Sequence, residues 1–152
     1  MQKTVIADAS CLILLDKINE LSLLHKLFGT IYTTHQVASE FGDVLPSWVV
    51  IQDPLNKNYQ SIIEAHVDKG EASAIALAIE SEDSLLIIDE QKGRKFAAAL
   101  GINITGTFGI IIECKLSGQI NSVKPILAKI KLTNFRFTEA LENSLLSKAE
   151  EL

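Results

Sequence analysis

The sequence predicts an α/β fold: a three-layer α/β/α sandwich around a central parallel sheet of four to five strands. Three observations carry that expectation. Short apolar runs such as Thr4–Ala7 and Leu85–Ile88 lack polar alternation, as strands buried on both faces do. They alternate with stretches of helical spacing, the pattern of βαβ units. Acidic residues also close the strands. Asp8 follows Val5-Ile6-Ala7, and Asp89 follows Leu85-Leu86-Ile87-Ile88. Right-handed crossovers bring both to one sheet edge, and open α/β sheets bind ligands at the carboxyl edge.

Taken in order, Thr4–Ala7 is the first strand. Asp8-Ala9-Ser10 turns the chain, with Ser10 as a candidate helix cap. Helical spacing follows at Leu12, Leu15 and Ile18, then at Leu21, Leu24, Leu27 and Phe28, until Gly29 stops it. Thr30–Thr33 is a second strand, and Thr34 caps a helix that ends on Glu40. Pro46 and Pro54 bracket a short strand at Trp48–Ile51. Tyr59–Val67 is helical, Lys69-Gly70 breaks it, and an Ala-rich helix starts at Glu71. Leu85–Ile88 is a strand, Gln91–Leu100 a helix stopped by Gly101, and Ile102–Thr105 another strand. Gly106-Thr107-Phe108-Gly109 turns into a helix over Ile110–Leu116, with Thr107 as its cap and Gly118 as its stop. Helices at Val123–Ile130 and Thr138–Lys148 complete the chain.

A chain of 152 residues, 47% hydrophobic, is expected to form one domain over 1–152 with a substantial core. Its net charge of −5 argues against a broad basic surface for nucleic acid. Setting aside Asp8, Glu40, Glu71 and Asp89 leaves 15 acidic against 14 basic residues, so the acidity concentrates in those four. Cys11 and Cys114 form no CxxC pair and are expected as reduced, buried thiols. There is no signal-like segment and no apolar stretch long enough to span a bilayer, so a cytoplasmic location is expected.

The four carboxylates are the chemical clue. Acids gathered in one cleft repel each other unless a hard cation such as Mg²⁺ or Mn²⁺ binds them. Rigid strand ends favour Asp8 and Asp89 as direct ligands. Glu71 and Glu40 then bind through water or orient an attacking water. Each acid also has a plainer reading. Asp8 and Asp89 can serve at helix starts, Glu71 can answer a helix dipole, and Glu40 can be an exposed helix residue.

This pattern resembles the PIN-domain proteins, in a prokaryotic branch of toxin-like nucleases. The resemblance rests on Ile88-Asp89-Glu90-Gln91-Lys92-Gly93-Arg94, then Ala97, then Gly101 through Gly106-Thr107-Phe108-Gly109. Asp8-Ala9-Ser10 and the stretch Gly70–Ala78 also match. The resemblance implies that Asp8, Glu40, Glu71 and Asp89 form a Mg²⁺ or Mn²⁺ site, with Ser10 supporting Asp8. It implies a metal-dependent endoribonuclease, the toxin of a toxin-antitoxin pair, with RNA as substrate and a small antitoxin protein as partner. The alternative it leaves open is a catalytically inactive module that binds protein or RNA.

Lys92, Arg94 and Lys95 follow Asp89, and the first two are candidate RNA phosphate contacts. His25, His35 and His66 lack metal spacing and are expected in ordinary roles. Trp48, Phe108, Phe135 and Phe137 are scattered and suggest no base-stacking platform. A nucleotide-binding or receiver-like domain is a weaker rival, because the phosphate loop is missing and Glu40 and Glu71 go unused. The apolar positions Leu12, Leu15, Leu24 and Leu27 exceed one narrow helical stripe and suggest a homodimer through the N-terminal helices.

Overall fold

The computed structural model describes residues 3–152. Its strands are β1 (Thr4–Ala7), β2 (Ile31–Thr33), β3 (Val49–Ile51), β4 (Ser84–Ile87) and β5 (Asn103–Thr105). They form one parallel sheet in the order β3-β2-β1-β4-β5. The chain winds outward from β1 to β3, then returns to the centre with β4. The strand order therefore reverses between β1 and β4, where an open α/β sheet leaves a crevice at its carboxyl edge. Val5 lies opposite Leu85 and Ala7 opposite Ile87. Asp8 thus leaves the sheet at this crevice, its backbone N–H still bonded to the Ile87 carbonyl.

The period of two along the strands divides the core. Val5, Ala7 and Ile87 face one side and pack with α1 (Ala9–Lys17), α2 (Ser22–Phe28), α7 (Thr107–Leu116), α8 (Lys124–Lys131) and α9 (Glu139–Lys148). Ile6, Leu86 and Ile88 face the other side and pack with α4 (Lys57–Ile63), α5 (Lys69–Glu80) and α6 (Gln91–Ala99). Helix α3 (His35–Phe41) sits at the margin against both α1 and α5. In α5 every residue from Gly70 to Ala78 is buried. Its small side chains let neighbouring helices and the sheet approach on all sides.

Most expected boundaries hold, and the exceptions have local causes. The helical spacing from Leu12 to Phe28 is split into α1 and α2 at Asn19, whose φ of 60° is left-handed. Asn tolerates that region better than most residues. Asp68, not Glu71, starts α5: its side chain accepts from the Glu71 N–H, which places Gly70 inside the first turn. Asp8 occupies the N-cap position of α1 in place of Ser10, and Gly106 that of α7 in place of Thr107. Thr34 caps α3 as expected, accepting from the Val37 N–H.

The leucines read as dimer contacts belong to the protein's own core. Leu12, Leu15 and Leu24 are fully buried, and Leu27 packs partly buried against them. They offer no surface to a second copy, and the argument for a homodimer through these helices falls. The phenylalanines are not scattered either. Phe108 meets Phe135 and Phe137 edge-on at 5.6 and 5.4 Å, and all three pack on the core. Cys11 and Cys114 are buried free thiols, and burial pushes them up to about 12 and about 11. Among the described residues no helix is long and apolar enough to cross a membrane.

The C-terminal end is tied down by Glu151. Its carboxylate accepts from Ser122 Oγ at 2.5 Å, from the Val123 N–H at 2.7 Å and from Lys115 Nζ at 3.1 Å. Burial alone would raise this carboxyl, but these donors hold it down at about 2. Glu151→Ala leaves Ser122 Oγ and the Val123 N–H without this acceptor, while Lys115 Nζ keeps the Ala149 carbonyl at 2.9 Å. Urea unfolding is expected to show a loss of roughly 1–3 kcal/mol, the cost of such unmet groups.

Candidate metal centre

Asp8 and Glu71 are the two buried acids of the crevice, 3% and 5% exposed. Each carries a buried oxygen with no hydrogen-bond partner, Asp8 Oδ1 and Glu71 Oε2. Such orphaned buried acceptors are uncommon and call for a physical explanation. Asp8 sits where a helix cap belongs, yet it makes no side-chain cap bond. The plain capping role considered for it is therefore not the one it plays.

Their electrostatics agree with that isolation. Burial pushes Asp8 up to about 7; the Ala9 amide pulls the other way, and the charges of Asp68, Glu40 and Asp89 add to the rise. Glu71 is pushed up to about 8, first by burial, then by the Asp68 carboxyl, then by Asp8 and Glu90. Asp8 thus senses two of the other three expected acids, and Glu71 senses Asp8. Asp68 acts on both. Asp68 and Glu90 are not among the expected site acids. They cap α5 and α6, through the N–H groups of Glu71 and Gly93. The signal was the spacing Asp68-Lys69-Gly70-Glu71, a capping box with two acids.

Asp89 and Glu40 are held differently. Both Asp89 oxygens accept from Thr107, Oδ1 from its N–H at 2.7 Å and Oδ2 from its Oγ1 at 2.5 Å. Thr107 is thus a support of Asp89 and not a cap. Glu40 is exposed, and Gln36 Nε2 donates to it at 3.2 Å. The helix that carries Glu40 is anchored to α5 by a buried contact of 2.6 Å between Thr34 Oγ1 and Ser73 Oγ. Ser10 is exposed in α1, and among the described residues no hydrogen bond joins it to Asp8.

Three glycines make room for three of these carboxylates. A Cβ on Gly70 would lie 2.5 Å from Glu40 Oε1. One on Gly93 would lie 2.5 Å from Glu71 Oε2 and 2.7 Å from Ile88 Cδ1. One on Gly106 would lie 2.7 Å from Asp89 Oδ1. Gly93→Ala is therefore expected to push Glu71 out of place and to cost about 1–3 kcal/mol through overpacking, read by thermal unfolding. Gly101→Ala is strained through its φ of 79° but meets nothing within 4 Å, so it should leave the crevice acids undisturbed.

Among the basic candidates, Arg94 turns inward. One guanidinium N–H donates to the Ile88 carbonyl at 2.8 Å, bracing the chain where β4 leads into Asp89. This bond uses one of the guanidinium's five donors. Lys92 stays exposed and lines an open cleft of about 420 Å³ together with Asp68, Glu71 and Glu90.

Among the described residues no three His, Cys, Asp or Glu side chains converge tightly enough to enclose a metal ion by themselves. The donors nevertheless fit a hard cation. They are all carboxylate oxygens, two are orphaned, and Mg²⁺ is commonly held by one or two carboxylates with waters completing its shell.

Comparison with known families places the chain. The DUF3368 family model, described as a PIN domain, matches residues 4–151. No curated protein matches the chain. A parallel five-stranded sheet flanked by helices on both faces agrees with that family, whose fold is of the nuclease type. The match spans every strand and every acid described above, and the chain belongs to the PIN-domain family.

Proposed function

We propose that the protein is a divalent-metal-dependent endoribonuclease, with Asp8 and Glu71 as the carboxylates that hold Mg²⁺ or Mn²⁺. The observation that carries this reading is the pair of orphaned buried oxygens, Asp8 Oδ1 and Glu71 Oε2. Two buried acids pushed up to about 7 and about 8 represent a stability cost near pH 7 unless a cation uses them. When bound, the ion supplies an activated water at neutral pH and a counter-charge for the scissile phosphate.

The chain's own residues supply the rest. Thr107 fixes both oxygens of Asp89, leaving lone pairs with which that carboxylate can orient a water. Glu40, exposed and anchored through α3, is suited to a water-mediated contact. Arg94 holds the backbone beneath Asp89 through one N–H, and its remaining donors are suited to an RNA phosphate. The family resemblance supports a toxin role with a small antitoxin protein as partner. Growth arrest on expression, relieved by co-expressing a neighbouring small reading frame, is the test of that role.

The direct test incubates the purified protein with a mixed RNA pool and Mg²⁺ or Mn²⁺. Cleavage that disappears in Asp8→Asn and in Glu71→Gln supports the reading. A folded wild-type protein that cleaves no RNA with either metal favours the inactive binding module. That module is the reading to which the absence of a three-ligand cluster among the described residues also points.

A further inference from the structure

The acidic cleft does not end at Glu71. Ala65, His66, Val67 and Lys92 line it and also line a second groove of about 360 Å³, which adds Lys95 and Phe96. The two spaces therefore adjoin along the turn after α4 and α6. Lys92 and Lys95 are both exposed, and neither pairs with an acid among the described residues. His66, exposed on the turn, stacks on Phe96 with ring centroids 5.1 Å apart and planes 30° off parallel. Phe96 is itself seated on the core formed around α5.

A groove with two ammonium groups of α6 beside a stacked aromatic pair is the chemistry that holds a single strand. Ammonium groups take phosphates, and an aromatic face takes any unpaired base. A paired base keeps both faces stacked within the duplex and cannot use such a platform. The rest of the molecule is acidic, so a local basic strip beside the acidic crevice also sets a direction for an incoming polyanion.

We infer that the groove between the turn after α4 and helix α6 is a subsite for single-stranded RNA leading away from the acidic crevice. Lys92 and Lys95 take consecutive phosphates, and the exposed face of His66, backed by Phe96, stacks a base. This subsite rests on the nuclease reading for the identity of its ligand, but it is tested by binding and not by cleavage.

The experiment measures fluorescence anisotropy of a labelled single-stranded RNA oligonucleotide over a range of salt concentrations. Ca²⁺ replaces Mg²⁺ and Mn²⁺ to fill oxygen sites. The wild-type protein is expected to bind the single strand at least about tenfold more tightly than a duplex of the same sequence, because only unpaired bases can stack. Lys92→Gln/Lys95→Gln should weaken binding and flatten the dependence of log affinity on log salt by roughly 1.4, two phosphates' share. His66→Ala should weaken binding roughly tenfold without changing that slope, and His66→Phe should restore it. These side chains are exposed or on a turn, so the variants are expected to keep the wild-type melting temperature. An unchanged affinity and slope in the lysine variant, or duplex binding equal to single-strand binding, overturns the inference. Binding through these residues by a protein that cleaves nothing sustains the subsite and sinks only the nuclease. Cleavage that proceeds with the lysine variant's KM and kcat unchanged sinks only the subsite.

Discussion

Asp8→Asn is expected to make the metal-free protein more stable, and to do so by roughly 2–3 kcal/mol more at pH 8 than at pH 5. The buried Asp8 carboxyl has its folded value near 7, against an ordinary 3.8. From pH 5 up to about pH 7 the folded state therefore keeps a proton that the unfolded chain has already lost. Stability from the neutral form is fully present below about 3.8 and is lost as pH rises through about 7. Between pH 5 and pH 8 that loss amounts to roughly 2–3 kcal/mol for Asp8, at about 1.36 kcal/mol per pKa unit. Glu71, near 8, bends the curve in the same direction. Asparagine keeps the shape and removes the titration. Thermal unfolding from pH 5 to pH 8 in the presence of chelator reads the effect as a flatter profile. Asp53 and Glu151 are shifted downward and act only at acid pH, so they do not mask it. A variant that is less stable than wild type at pH 8 would mean that the ionised Asp8 carboxylate does not destabilise the metal-free fold.

The second large effect is stabilisation by Mn²⁺ and its loss in Glu71→Gln. A cation that binds only the folded form stabilises by mass action, about 2.7 kcal/mol at a hundred times its dissociation constant. For a chain of this length that is a rise of roughly 5–10 °C in melting temperature. Monovalent salt of equal ionic strength screens the same charges without occupying the orphaned oxygens, so it should give a much smaller rise. The Mn²⁺ gain should grow from pH 6 to pH 8, because protons compete for the same carboxylates. Glu71→Gln removes one of the two orphaned oxygens' charges and should abolish most of that gain. A full Mn²⁺ gain in Glu71→Gln would place the ion elsewhere.

Much of this was readable before any coordinates. Apolar runs without alternation at Val5–Ala7 and Leu85–Ile88 gave the central strands, and Asp8 and Asp89 marked the sheet edge where the order reverses. Tertiary choices were not readable. Nothing local says that Thr107 reaches back across 18 residues to Asp89, or that Arg94 donates one N–H to a backbone carbonyl. Leu12, Leu15 and Leu24 looked surplus because one helix was counted against one partner, whereas α1 and α2 are packed by the sheet and by α7 to α9 together. Asp68 was hidden by doing two things at once: it caps α5 and lends its charge to Asp8 and Glu71. The stack of His66 on Phe96 joins residues 30 apart in sequence, so only the folded chain brings it into view.

The most direct measurement is isothermal titration of the wild-type protein with Mn²⁺ near pH 7, repeated in buffers of different ionisation enthalpy. If Asp8 and Glu71 hold the ion, binding must release the protons that burial keeps on them. The heat should then vary with the buffer and report about one proton or more per ion, and both the binding and the proton release should vanish in Asp8→Asn and Glu71→Gln. Mn²⁺ binding that releases no proton, or that survives in both variants, would contradict a metal centre built on these two carboxylates.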